Sequence, residues 1–156
     1  MTARPTGHPK VRERAPINSR RKGADFERIV AARLNAALGT TLRRNLRQYQ
    51  TRDEGDLVQD PPLPFLFECK AKKVADLPGW RRQAVTAAQA TGQVPIVIYR
   101  ITGGPMRASV PIGFVAGDAS VCRGEWCEMG VDALCELLRE ALAGSEAVLR
   151  AWEAAE

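Results

Sequence analysis

The sequence predicts an α/β fold: a mixed central β-sheet flanked by helices in the order αβββαβ, with extra helices at the C-terminus. Three observations predict it. An amphipathic stripe at 23–38 leads into short strand-like segments. An Ala-rich helical stretch at 79–91 separates two apolar runs, FLFECK and VPIVIYRI. From residue 130 onward, apolar residues recur at helical spacing.

The first 22 residues hold seven Lys/Arg, one Glu and three Pro, and read as a basic flexible arm. Residues 23–38, GADFERIVAARLNAAL, follow as a helix that stops at Gly39. At about 100° per residue, Phe26, Val30, Leu34, Ala37 and Leu38 share one face, and Glu27 lies on the flank of that face. A first-turn acid suits the helix dipole wherever it points. Its place on the inner flank is what argues for a role.

TLRRNLRQYQ (41–50) suits a strand whose outer face meets a polyanion. GDLV, QDPPLP and FLFECK (55–70) read as a β-hairpin with a Pro-rich loop, which brings Asp56 near Glu68. Side chains alternate along a strand, so Glu68 and Lys70 share one side while Phe65, Phe67 and Cys69 take the other. In GWRRQAVTAAQAT (79–91), Trp80, Ala84, Ala87, Ala88 and Thr91 form the packing face, with Gln83 at its margin and Arg81 and Arg82 outward. VPIVIYRI (94–101) and SVPIGFV (109–115) are buried strands. Val131, Leu134, Cys135, Leu138 and Leu142 stripe a helix ending at Gly144, and Ser145 caps a short last helix with Val148 and Trp152. These acidic helices either close the core or make a subunit contact. The chain thus divides into the arm 1–22, a core domain 23–115 and an acidic helical extension 116–156.

Length and composition fit a soluble globular chain: 156 residues, 45% hydrophobic and 26% charged. No apolar run spans a bilayer and no secretory segment opens the chain, so a cytoplasmic location, prokaryotic or in a phage-infected cell, is expected. The net charge of +5 conceals an asymmetry, because residues 1–107 carry +11 and residues 108–156 carry −6. A basic first two-thirds points to nucleic acid. The spacing of Cys122 and Cys127, with His8 the only histidine, argues against zinc. Cys69 and Cys135 fall on apolar faces and read as reduced, buried thiols.

Three acids from separate elements, Glu27, Asp56 and Glu68, repel one another. At about 4 Å that repulsion is roughly 1 kcal/mol in water and about 4 kcal/mol at an effective dielectric near 20. Lys70 cannot satisfy all three. A hard dication can, and Mg²⁺ takes a few carboxylates with water or phosphate completing its shell.

The pattern GD(x11)ExK after a helix with an inward Glu resembles the PD-(D/E)xK nuclease superfamily, and within it the archaeal-type Holliday-junction resolvases. RRKGADFER (20–28) is similar to that family's opening, and WRRQ (80–83) to its Arg-rich second helix with a glutamine. The resemblance covers about residues 19–101, and small bacteriophage nucleases share it. It implies a restriction-endonuclease-like core in which Glu27, Asp56 and Glu68 bind Mg²⁺, with Mn²⁺ as substitute. Lys70 completes the catalytic set, and Arg28 and Gln83 assist near the phosphate.

The expected activity is Mg²⁺-dependent endonucleolytic cleavage of branched DNA, Holliday junctions foremost, by a homodimer acting in DNA recombination. A basic face of Lys22, Arg43, Arg44, Arg47, Arg52, Lys72, Lys73, Arg81 and Arg82 would hold the phosphate backbone without reading sequence. Two alternatives stand beside it. One is another nuclease of this core acting on flaps, ends or foreign DNA. The other is a non-catalytic DNA-binding module in which Asp56, Glu68 and Lys70 are structural ion pairs.

Overall fold

The computed structural model describes residues 19–47, 54–117 and 124–144. In chain order the elements are α1 (Ser19–Leu38), β1 (Arg43–Arg44), β2 (Leu57–Val58), β3 (Phe65–Lys72), α2 (Leu77–Thr91), β4 (Val94–Ile101), β5 (Met106–Pro111), α3 (Ile112–Ala116), β6 (Trp126–Gly130) and α4 (Val131–Gly144). The six strands form one sheet in that same order. Neighbours are antiparallel except β3 and β4, which run parallel from Phe65 opposite Val94 to Lys72 opposite Ile101. A parallel pair needs a crossover, and α2 supplies it. The sheet is mixed and the core order is αβββαβ, as the sequence predicts.

Alternation along β3 sorts its side chains into two cores. Phe65, Phe67 and Cys69 join Ile96 and Ile98 of β4 beneath Phe26, Val30 and Leu34 of α1 and Leu134 and Leu138 of α4. Leu66 joins Val97 and Tyr99 beneath Trp80, Ala84, Ala87 and Ala88 of α2. Phe67, Leu34, Leu134 and Leu138 are completely buried, each contributing about 1.5–3 kcal/mol over the exposed state. The alanines of α2 let that helix lie close to the sheet. Asp76 starts α2 by accepting the Gly79 N–H at 3.1 Å, and Gly92 ends it in the left-handed conformation at φ 68°. A Cβ at position 79 would overlap the Asp76 carboxylate, so this cap requires the glycine.

Several elements differ from expectation. Helix α1 begins at Ser19, so Lys22 and the residues just before it are helical; the rest of the basic arm lies outside the described residues. Of the strand expected over 41–50, the described residues 41–47 form strand only at Arg43–Arg44, because the Asn45 side chain accepts the Arg47 N–H and turns the chain out of the ladder; residues 48–50 lie outside the described residues. Residues 112–115, expected as the end of a strand, instead belong to helix α3, which follows Pro111 and closes at Gly117 in the left-handed region. Residues 126–130, assigned to a helical extension, form a strand on β5; WCEMG has no clean alternation to announce it. Thr91 is exposed at the end of α2 rather than packed. Helix α4 places Leu134, Cys135 and Leu138 in the core beside α1. The short last helix expected after Ser145 lies outside the described residues.

Candidate active site

The site forms where the β2–β3 hairpin opens beside α1 and α2. Asn45 anchors it. Its backbone N–H donates to the Asp56 carbonyl at 2.8 Å, and its buried side-chain amide donates to the Gly55 carbonyl and to Glu54 Oε2, both at 3.0 Å. Gly55 lies so close to β3 that a Cβ would fall 2.7 Å from the Phe67 carbonyl oxygen. Only glycine fits here, which explains the GD dipeptide where related motifs carry PD. The Asp56 N–H then donates to Phe67 O at 2.8 Å, and its carboxylate accepts the Cys69 N–H at 2.7 Å.

Asp56 and Glu68 are both buried, at 9% and 4% exposure. Burial raises the Asp56 carboxyl to about 7, and the charge of Glu68 adds to that rise; the Cys69 N–H opposes it, Glu27 adds a smaller upward push, and Lys70 pulls down. The other three predicted catalytic groups therefore all act on this one carboxyl. The Lys70 amino group pairs with Glu68 Oε1 at 2.6 Å and donates to Gln83 Oε1 of α2 at 2.9 Å. Burial also pushes up the Cys69 thiol, next to Asp56, Glu27 and Glu68.

Glu27 is buried at 8% exposure on the α1 flank, and its Oε2 accepts from Arg44 Nε at 2.5 Å. Arg44, expected on a DNA-binding face, is thus engaged by a candidate ligand. Among the described residues, no three His, Cys, Asp or Glu side chains stand close enough to hold a metal as arranged. Arg44 and Lys70 hold Glu27 and Glu68 in this state. The Asp56–Glu68 pair still suits a hard dication: both are oxygen donors, both are desolvated, and their repulsion favours a cation between them.

The remaining predicted nucleic-acid residues divide. Arg43, Arg47, Lys72, Lys73 and Arg82 are exposed, and their side chains have no hydrogen-bond or ion-pair partner among the described residues. Arg28 is exposed and pairs with Asp25 at 2.8 Å. Lys22 donates to Thr102 Oγ1 at 3.3 Å, tying the start of α1 to the end of β4. Arg81, expected to face outward, instead folds over β5 and β6. It donates to Ser109 Oγ at 3.0 Å and Glu128 Oε1 at 2.6 Å, and lies over the Trp126 ring. Tyr99 donates to the other Glu128 oxygen at 2.5 Å. Arg81 turns inward because β6, invisible as a strand in the sequence, brings Glu128 to its inner side. Arg52 lies outside the described residues, as does Cys122; Cys69 and Cys135 are buried free thiols.

Sequence reasoning missed Asn45 and the Arg81–Glu128–Tyr99 network. Asn45 could have been suspected as a small amide beside a turn. Glu128 carried no signal without its strand.

A mixed sheet of this topology, with a buried acid pair and a lysine two residues beyond the second acid, defines a nuclease core of the PD-(D/E)xK class. The comparisons agree: residues 18–114 match the family described as phage putative PDDEXK endonuclease, and the chain belongs to that family. Among solved structures it is similar to Hjc of Archaeoglobus fulgidus, described as a Holliday junction resolvase from an archaeal hyperthermophile. That match is 24% identical, covers 60% of this chain and 75% of that one, and has a TM-score of 0.44. No curated protein matches the sequence. Among the described residues, no helix is long and apolar enough to cross a membrane.

Proposed function

We propose that the protein is a Mg²⁺-dependent, structure-selective DNA endonuclease that hydrolyses phosphodiesters at branched DNA, with the four-way junction as preferred substrate. The observation that carries this reading is the buried Asp56 carboxyl raised to about 7 beside Glu68, with Lys70 held between Glu68 and Gln83. Asp56 and Glu68 would hold the cation, with Glu27 the third acid in electrostatic reach. Bound there, Mg²⁺ (or Mn²⁺) supplies Lewis-acid polarisation of the phosphate and neutralises developing charge.

The chain's own groups do the rest. Water attacks phosphorus, the P–O bond to the departing sugar breaks, and the departing oxygen takes a proton. Lys70, oriented by Gln83, points its amine toward the attacked phosphate and steadies the charge that builds there. The unpartnered Arg43, Arg47, Lys72, Lys73 and Arg82 supply backbone contacts, which position DNA without reading bases. Selectivity then comes from DNA shape. A homodimer would present two such sites to opposing strands, as paired cuts across a junction require. Residues 23–115 form the nuclease core in this reading, with the N-terminal arm adding charge.

The test is cleavage of synthetic four-way junction, flap, single-stranded and linear duplex DNA, each with Mg²⁺ or EDTA. Paired nicks in the junction with Mg²⁺ alone, and at least about tenfold slower cutting of the linear duplex, are expected. Equal cutting of all four would leave a nuclease without junction preference. Binding without any cutting would establish the non-catalytic alternative.

A further inference from the structure

Arg100 is the single charged residue in the apolar strand VPIVIYRI. Ile96 and Ile98 on the same face of β4 enter the core beneath α1, and Arg100 continues that row where the strand ends. Across the parallel register it faces Ala71, whose small side chain leaves it room, two residues beyond Cys69. Its guanidinium lies over the Phe26 ring, 5.7 Å from the centroid, and Phe26 is the chain neighbour of Glu27. Arg100 Nε is shut off from solvent with no hydrogen-bond partner, the one such side-chain atom among the described residues. An orphaned buried donor destabilises the folded chain, and an aliphatic residue would fill this row without that cost. The Phe26 contact holds the side chain in place but leaves its Nε unpartnered.

The surroundings point to an anion. Thr102 N–H donates to the Lys72 carbonyl at 3.0 Å, and Lys22 donates to the Thr102 hydroxyl. The ends of β3 and β4 and the start of α1 therefore gather Lys22, Lys72 and Arg100 at one rim, next to the α1 flank that bears Glu27. No carboxylate pairs with any of the three among the described residues.

We propose that Arg100 grips a DNA backbone phosphate at the α1-side rim of the sheet, and so helps seat the strand whose cleaved phosphate meets Asp56, Glu68 and Lys70. Phe26 props the guanidinium in place, and the outer nitrogens of that group, rather than the shielded Nε, meet the phosphate oxygens. The proposal rests on the nuclease reading above. It adds a substrate-gripping residue on the α1 face, opposite the Arg82 side of the molecule.

The experiment measures binding of a fluorescein-labelled DNA duplex by anisotropy, in EDTA, across a NaCl series. It compares wild type, Arg100→Met and Arg100→Lys, with melting temperatures for each and wild-type cleavage in Mg²⁺ as reference. Arg100→Met is expected to lose about 0.9 from the magnitude of the log K against log salt slope. Its affinity at low salt should fall about tenfold, as for one charge-assisted hydrogen bond, and it should melt no lower than wild type. Arg100→Lys should keep the slope. A wild type that binds and cuts, with Arg100→Met matching its slope and affinity, overturns the Arg100 assignment alone. So does a lowered melting temperature in Arg100→Met together with a reduced slope in Arg100→Lys, the signature of packing. A wild type that neither binds nor cuts overturns the nuclease reading itself, and this proposal with it.

Discussion

Glu68→Gln and Asp56→Asn should each lower Mg²⁺-dependent cleavage by at least about a thousandfold while leaving DNA affinity within about twofold. A carboxylate that holds a catalytic cation contributes several kcal/mol to the transition state, and each 1.36 kcal/mol is about a tenfold change in rate. Both substitutions keep shape and an acceptor oxygen. In Glu68→Gln the new amide oxygen could still accept from Lys70, where Glu68 Oε1 now lies 2.6 Å from Nζ. In Asp56→Asn the amide oxygen could still accept the Cys69 N–H, now bonded at 2.7 Å. Loss of folding is therefore not the expected cause of inactivity. DNA binding rests on exposed cations elsewhere, so it should survive. Single-turnover cleavage of a labelled junction, read beside anisotropy in EDTA, separates the two effects. Activity retained in both variants would reject the site assignment.

The second large effect is on stability, and it runs opposite to activity. The Asp56 carboxyl rises from an ordinary 3.8 to about 7, first because it is buried and then because Glu68 is near. The folded chain thus holds a proton that the unfolded chain has released between those two values. The contribution of this one carboxyl to stability is full below about pH 4 and is lost as pH rises through about 7. Asp56→Asn removes that loss. The variant should melt within about 1 °C of wild type near pH 4 and about 5 °C or more above it at pH 8, without Mg²⁺. Millimolar Mg²⁺ at pH 8 should raise the wild-type melting temperature and leave the variant where it was. A dead enzyme more stable than the live one is what a functional site held under electrostatic strain predicts. A pH-independent gap between the two proteins would refute this.

The sequence made the αβββαβ order legible because its elements carry strong local signals: the stripe from Phe26 to Leu38, the alternation in FLFECK, the alanines between Trp80 and Ala88. It showed the hairpin that brings Asp56 to Glu68, since two apolar arms flank a Pro-rich turn. It placed Glu27 on the inner flank of α1, where it is buried. Strand β6 was not legible, because pairing with β5 rather than any pattern in WCEMG makes it a strand. That single omission hid Glu128, and with it the reason Arg81 turns inward. Arg44 was read as a surface cation because its partner Glu27 lies 17 residues away on another element. That β1 stops at Arg44 depends on where the Asn45 side chain bonds, which spacing alone does not encode.

The most direct test of the account is the position of the cation itself. Crystals grown with Mn²⁺ and an uncleaved DNA, measured at the manganese absorption edge, would locate it by anomalous scattering. The account predicts a peak within about 2.3 Å of carboxylate oxygens of both Asp56 and Glu68, with Lys70 beside the nearest phosphate. A structure with DNA seated over the hairpin and no peak between those two carboxylates, from a protein that still cuts in Mn²⁺, would contradict it.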